Sequence, residues 1–113
     1  MLDGWGKAAS KIGYRTYNFN LAECSVPFHM TSVWKHDIPY LKKIGCVGMN
    51  LESLVNWQIY GPHLYLSIRL AYDADADADK LMDAFCTKFY GPKAGPIIKE
   101  YWTAIDKGFA DMK

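Results

Sequence analysis

The sequence lacks most of the features that would announce a function outright. No apolar run approaches the roughly 20 residues needed to cross a bilayer, so membrane insertion is not expected. The three cysteines, Cys24, Cys46 and Cys86, are scattered and form no CxxC pair. That argues against a disulfide framework and against zinc or redox chemistry, and leaves three partly buried thiols as the expectation. The histidines, His29, His36 and His63, share no helical turn and sit near no cysteine pair. Zinc needs three or four convergent ligands, so neither a metal nor another cofactor is expected. Charge is nearly balanced, 13 basic against 12 acidic residues, with no basic block. Nucleic-acid binding draws most of its affinity from clustered positive charge, so no nucleic-acid partner is expected. The opening stretch, MLDGWGKAASKIGYR, has no apolar segment of the kind a secretory signal requires.

What is present is the material of a folded core. Half of the 113 residues are hydrophobic and 15% are aromatic, which suits one domain with one core. Ile12 to Leu21 is rich in aromatics and predicts a strand. After a loop broken by Pro27, Asp37 as N-cap and Pro39 in the first turn predict a short helix, with Tyr40, Leu41 and Ile44 on its apolar face and Gly45 as its stop. Cys46 to Ser53 predicts a second strand. Strand, helix and strand over about residues 12–53 is the βαβ pattern, hence parallel strands and a right-handed crossover.

Residues from about 62 to 112 read as helical. His63 to Tyr72 carries Leu64, Ile68 and Ala71 on one side, and Asp79 to Tyr90 buries Leu81, Met82, Phe85, Cys86 and Phe89 at helical spacing. Gly91-Pro92 breaks the chain. Lys93 to Met112 then repeats the pattern with Ile97, Ile98, Tyr101, Trp102, Ile105 and Phe109.

Two parallel strands cannot cover their own edges, and both strands read as buried. A closed (β/α)8 barrel takes about 250 residues. The expectation is therefore an α/β chain forming a partial (β/α)8 barrel, its last two strands and helices, followed by C-terminal helices. On this reading residues 1–113 are the C-terminal fragment of a larger barrel domain, inactive alone, and self-association through the open sheet edges is expected.

Chemistry is sought at the C-terminal ends of the strands, where parallel α/β folds bind their ligands. Glu23 lies just past the first strand and Glu52 ends the second. Neighbouring strands are about 4.8 Å apart, so two such carboxylates can approach the roughly 5–9.5 Å separations of glycosidase acid pairs. Glu52 and Glu23 are the candidate catalytic residues; the alternative is two ordinary loop acids. Asn18, Asn20, Asn50, Asn56, Trp57 and Tyr60 lie around them in sequence. Amide side chains hold sugar hydroxyls and aromatic faces cover sugar rings, a mix common in ligand clefts. Asn18, Asn20, Asn50, Trp57 and Tyr60 are thus candidate carbohydrate-binding residues, with simple packing as the alternative for Trp57 and Tyr60. The acids of YDADADADK begin like a calcium loop but meet Ala78 and Ala84 where such a loop has Gly and Glu. They read better as caps at the positive end of the following helix.

GCVGMNLES and the tract NWQIYGPHLYLSIRLAYDADADADKLMDAFCTKFYGPKAGPIIKEYW resemble the end of a bacterial domain of unknown function related to glycoside hydrolases. In that family a strand ending in an acid precedes a Y-L-x-x-R-L-x-W-D-x-D-x-D tract, a helix, a Y-G-x-A-A turn and a last helix. Here Tyr65-Leu66, Arg69-Leu70, Tyr72-Asp73, Asp75 and Asp77 stand in the tract, and Tyr90-Gly91 and Ala94-Gly95 in the turn. Tyr72 replaces the usual Trp. The resemblance spans about residues 14–105 and implies a barrel akin to those of α-glucuronidases and hexosaminidases, a secreted or periplasmic location, and a carbohydrate ligand, with Glu52 as the strand-end acid. Two other readings stand beside it: a non-catalytic carbohydrate-binding module, and an interaction unit docking a partner along an exposed Ile98, Trp102 and Ile105 stripe.

Overall fold

A computed structural model describes residues 2–22, 25–53 and 57–111. In chain order these form α1 (Leu2–Ala8), β1 (Ile12–Tyr17), α2 (Thr31–Lys43), β2 (Cys46–Glu52), α3 (Trp57–Tyr72) and α4 (Ala78–Asp111). The strands pair in parallel across α2, as the βαβ pattern requires. Gly45, at φ 87°, ends α2 as expected of the residue that most readily enters the left-handed region.

The register sets Tyr14 beside Met49, Arg15 beside Asn50, Thr16 beside Leu51 and Tyr17 beside Glu52. Side chains alternate across a strand, so Tyr14, Met49 and Leu51 share one face. All three pack against the main core. Arg15, Tyr17 and Asn50 lie on the opposite face and are exposed.

The partial barrel is not what this chain forms. The sheet has two strands, and the other regular elements of the described chain are four helices. A barrel wall is covered on both faces, whereas here no strand residue is fully buried and β1 alternates between half-buried and exposed positions. The expectation that both strands are buried fails for the same reason. The core instead lies among helices: Trp34 and Ile38 of α2, Leu66 and Leu70 of α3, and Ala78, Met82, Cys86 and Trp102 of α4. A satellite cluster joins Phe19 to Tyr60 and Leu64.

Three element boundaries also differ from expectation. β1 stops at Tyr17 because Asn18 and Phe19 turn inward and are buried. Trp57 opens α3 six residues earlier than His63, with Pro62 inside the helix. α2 begins at Thr31, which places Asp37 and Pro39 in its interior. Its N-cap, Met30, makes no side-chain cap. The orphan Ser32 N–H donates instead to the Asp106 carboxylate at 3.1 Å, and the Ser32 hydroxyl donates to it at 2.9 Å. A carboxylate 74 residues away does the work normally done by the local N-cap.

The expected break at Gly91-Pro92 is present, since Gly91 takes φ 82° and ψ 167° within α4. Across it the two halves fold back antiparallel: Lys99 donates to Asp83 at 2.5 Å, and Met82 shares the core with Trp102. Gly95 makes the return possible, because a Cβ there would lie 2.9 Å from the Cys86 carbonyl oxygen. The aspartates before α4 act as the capping reading foresees. Asp77 Oδ1 accepts the Asp79 and Lys80 N–H groups at 3.0 and 3.1 Å, and the Lys80 N–H is the first reason its carboxyl stays below its ordinary range. No described helix is long and apolar enough to cross a membrane.

Candidate functional site

The expected site residues divide between three places. Glu52 and Asn50 share the solvent-facing side of the sheet, where Glu52 pairs with the guanidinium of Arg15. Arg15 lies 5.1 Å from the Tyr17 ring centre, and hydrogen bonding to the Tyr17 hydroxyl, then the charge of Glu52, raises its already high pKa. Arg15 and Glu52 are diagonal neighbours on one face, which parallel strands of known register bring within reach of long side chains. Sequence reasoning missed Arg15, although strand alternation from the two strand ends would have found it.

Glu23, the proposed partner of Glu52, lies outside the described residues, as do Asn56 and Cys24. Glu52 is the only carboxylate on either strand. It presents to solvent one acid already bound to a cation.

Asn18 and Tyr60 do not reach solvent. Asn18 is buried and donates from Nδ2 to the Ser67 hydroxyl at 3.0 Å, while Tyr60 is sealed in the satellite cluster. Asn20 accepts the Ala22 N–H at 3.0 Å and shapes the turn after β1. Asn18 and Tyr60 thus face the interior, whereas Asn20 is half-buried in the turn.

Trp57 is exposed at the head of a groove between α3 and the first half of α4. The groove encloses about 440 Å³. Tyr65, Phe85, Phe89 and Tyr90 supply aromatic walls, and Gln58 and Arg69 add polar groups. Phe85 and Phe89 stack at 5.4 Å with planes 8° apart, and Tyr65 lies 5.0 Å from Phe85. Phe89, expected to be buried, is 72% exposed. Its i, i+4 spacing from Phe85 does mark one helix face, but that face borders the groove.

His29 and His63, which the sequence reading set aside as metal ligands, form a buried pair. His29 and His63 are each 1% exposed, with rings 6.0 Å apart. His63 Nδ1 accepts the Met30 N–H at 3.2 Å, and the Trp34 indole N–H lies 3.2 Å from both ring nitrogens. Burial lowers the His29 pKa to about 4; burial and then the neighbouring His29 lower that of His63 to about 3. Both rings are neutral near pH 7. Burial is a tertiary property, and nothing local to either residue signals it. Among the described residues no group of three or more His, Cys, Asp or Glu is placed to hold a metal ion.

The Ile98, Trp102 and Ile105 stripe packs inward: Trp102 is buried in the core and the two isoleucines lean on it. It offers no exposed docking stripe.

No curated protein and no solved structure matches the chain. The family description, domain of unknown function (DUF4838), matches residues 1–103, and the chain belongs to that family.

Proposed function

We propose that this chain binds carbohydrate, with a sugar ring stacked on Trp57 in the aromatic groove between α3 and α4. The observation that carries the reading is the groove itself, about 440 Å³ in volume and lined by five aromatic side chains with Gln58 and Arg69 among them. Its size falls within the range of ligand clefts, and a largely apolar wall with few polar groups is the usual composition of such sites. Aromatic faces cover the C–H side of a pyranose, while Gln58, Arg69 and the tyrosine hydroxyls supply hydrogen bonds. The resemblance to glycoside-hydrolase-related domains supports the same ligand class.

Binding fits this geometry better than hydrolysis. Glycosidase chemistry uses two carboxyl groups in different protonation states, and the sheet offers Glu52 alone, paired with Arg15. A glycoside-hydrolase role would recruit Glu52 as one of that pair and require a second acid beyond those described.

Titration with oligosaccharides, followed by tryptophan fluorescence, tests the reading. Trp57→Ala is expected to weaken binding about tenfold or more, since a stacked aromatic carries much of the energy in such sites. Glu52→Gln is expected to leave affinity unchanged. Equal affinity for the wild type and Trp57→Ala would sink the groove reading. Turnover of a glycoside by the chain, abolished by Glu52→Gln, would replace it with the hydrolase role.

A further inference from the structure

The groove between α3 and α4 has a length as well as a composition. On α3 its lining runs from Trp57, through Gly61, Leu64 and Tyr65, to Arg69, a spacing that keeps all five on one face of the helix. A helix rises about 1.5 Å per residue, which sets Trp57 and Arg69 about 18 Å apart along the axis. That reach far exceeds one sugar ring. The middle of the path is open, because Gly61 contributes no side chain and even a Cβ there would stand 3.6 Å from the Phe85 ring, in ordinary contact.

The two ends differ in kind. Trp57 presents an exposed indole at one end. At the other, Arg69 is exposed and is the one charged side chain among the described residues that line the groove. Among the described residues its guanidinium has neither an ion-pair nor a hydrogen-bond partner.

The acids around Arg69 are engaged elsewhere. α3 carries none of its own. Asp73, one turn further on, accepts the Asp75 N–H at 3.2 Å and directs its charge at Lys42. Asp83, on the facing half of α4, accepts from Lys99 at 2.5 Å. A guanidinium offers a planar fork of donors that fits the paired oxygens of one carboxylate. A neutral ligand would leave that charge unmatched, and a cationic one would be repelled by it.

We propose that the groove takes a linear acidic oligosaccharide, with one ring stacked on Trp57 and the carboxylate of a ring further along paired with Arg69. The inference rests on the carbohydrate reading of the groove and adds to it the charge and the length of the ligand. A single monosaccharide engages one end only.

The test titrates the full chain with a galacturonate trimer and with its methyl ester, followed by calorimetry. The two ligands differ in charge and hardly in shape. The acid is expected to bind about fivefold or more tighter than the ester, since charge-assisted hydrogen bonds are the stronger ones, and added salt is expected to shrink that advantage. Arg69→Gln is expected to erase the preference. Lys107→Gln removes an equal charge at an exposed position outside the groove and is expected to keep it. Trp57→Ala is expected to weaken both trimers alike, and galacturonic acid itself is expected to bind about tenfold more weakly than the trimer. Equal affinity for acid and ester, or a preference that survives Arg69→Gln, overturns the acidic ligand. If Trp57→Ala still weakens both trimers in that case, the carbohydrate groove stands and only its assigned charge falls. A preference lost equally in Lys107→Gln reveals general attraction and also overturns the pairing with Arg69. A monomer bound as tightly as the trimer overturns the spanning ligand. Binding of neither trimer overturns the inference outright, whereas the titration with neutral oligosaccharides decides the groove reading by itself.

Discussion

Leu66 and Leu70 on α3 are sealed from solvent, whereas no residue of β1 or β2 is fully buried. The helical layer closes on itself; the sheet contributes one apolar face and turns Arg15, Asn50 and Glu52 outward. Each buried leucine stabilises the fold by about 1.5–3 kcal/mol, while exposed ion pairs contribute little. The difference separates two duties. The helices hold the fold, and the sheet mainly positions side chains.

The sharpest way to break this comparison is to empty the helical core. Leu66→Ala is expected to cost about 2–5 kcal/mol, read as a shift in the urea midpoint. A shift equivalent to less than about 1 kcal/mol would mean that the helices are not where stability resides. Acidification probes the same layer without mutation. The folded pKa values of about 4 for His29 and 3 for His63 lie below the ordinary 6.5. The unfolded chain therefore takes up protons first. Stability is complete above about pH 6.5 and falls as pH drops toward 4, by roughly 2 kcal/mol per histidine at pH 5. A midpoint constant between pH 7.5 and 5 would contradict the buried neutral pair. The contribution of Asp77, whose pKa is lowered from 3.8, is lost as pH falls below that value, so it overlaps only the acid end of the histidine window, where His63 titrates. Smallest is the effect on the sheet: Arg15→Ala is expected to leave the urea midpoint nearly unmoved. A fall comparable to that of Leu66→Ala would show that the sheet face holds the fold after all.

Local chemistry made several features legible. Gly45 and Gly91 take the left-handed conformation that a turn demands, and Asp77 caps the helix after it, so one residue and its neighbours sufficed to place them. The parallel pair followed from strand, helix and strand in succession. The barrel did not survive because apolar strand composition says that a strand packs somewhere, not on how many faces. Asn18 and Tyr60 have the chemistry of sugar ligands, but the turn after Tyr17 carries Asn18 into the interior and α3 carries Tyr60 there. Glu52 was legible through its place at a strand end, while its cation, 37 residues earlier, became visible only with the register. The histidine pair was illegible for a related reason: His29 and His63 meet only after α2 and α3 have packed.

The start of α2 has a practical consequence for where this chain is cut. The family match runs over residues 1–103, and Asp106, which takes up the Ser32 N–H, stands three residues beyond it. A chain trimmed to the matched segment would keep every residue of α2 and still lose the group that begins it. The boundary drawn by likeness and the boundary required by hydrogen bonding do not coincide, and the second is the one to respect when the domain is expressed or grafted.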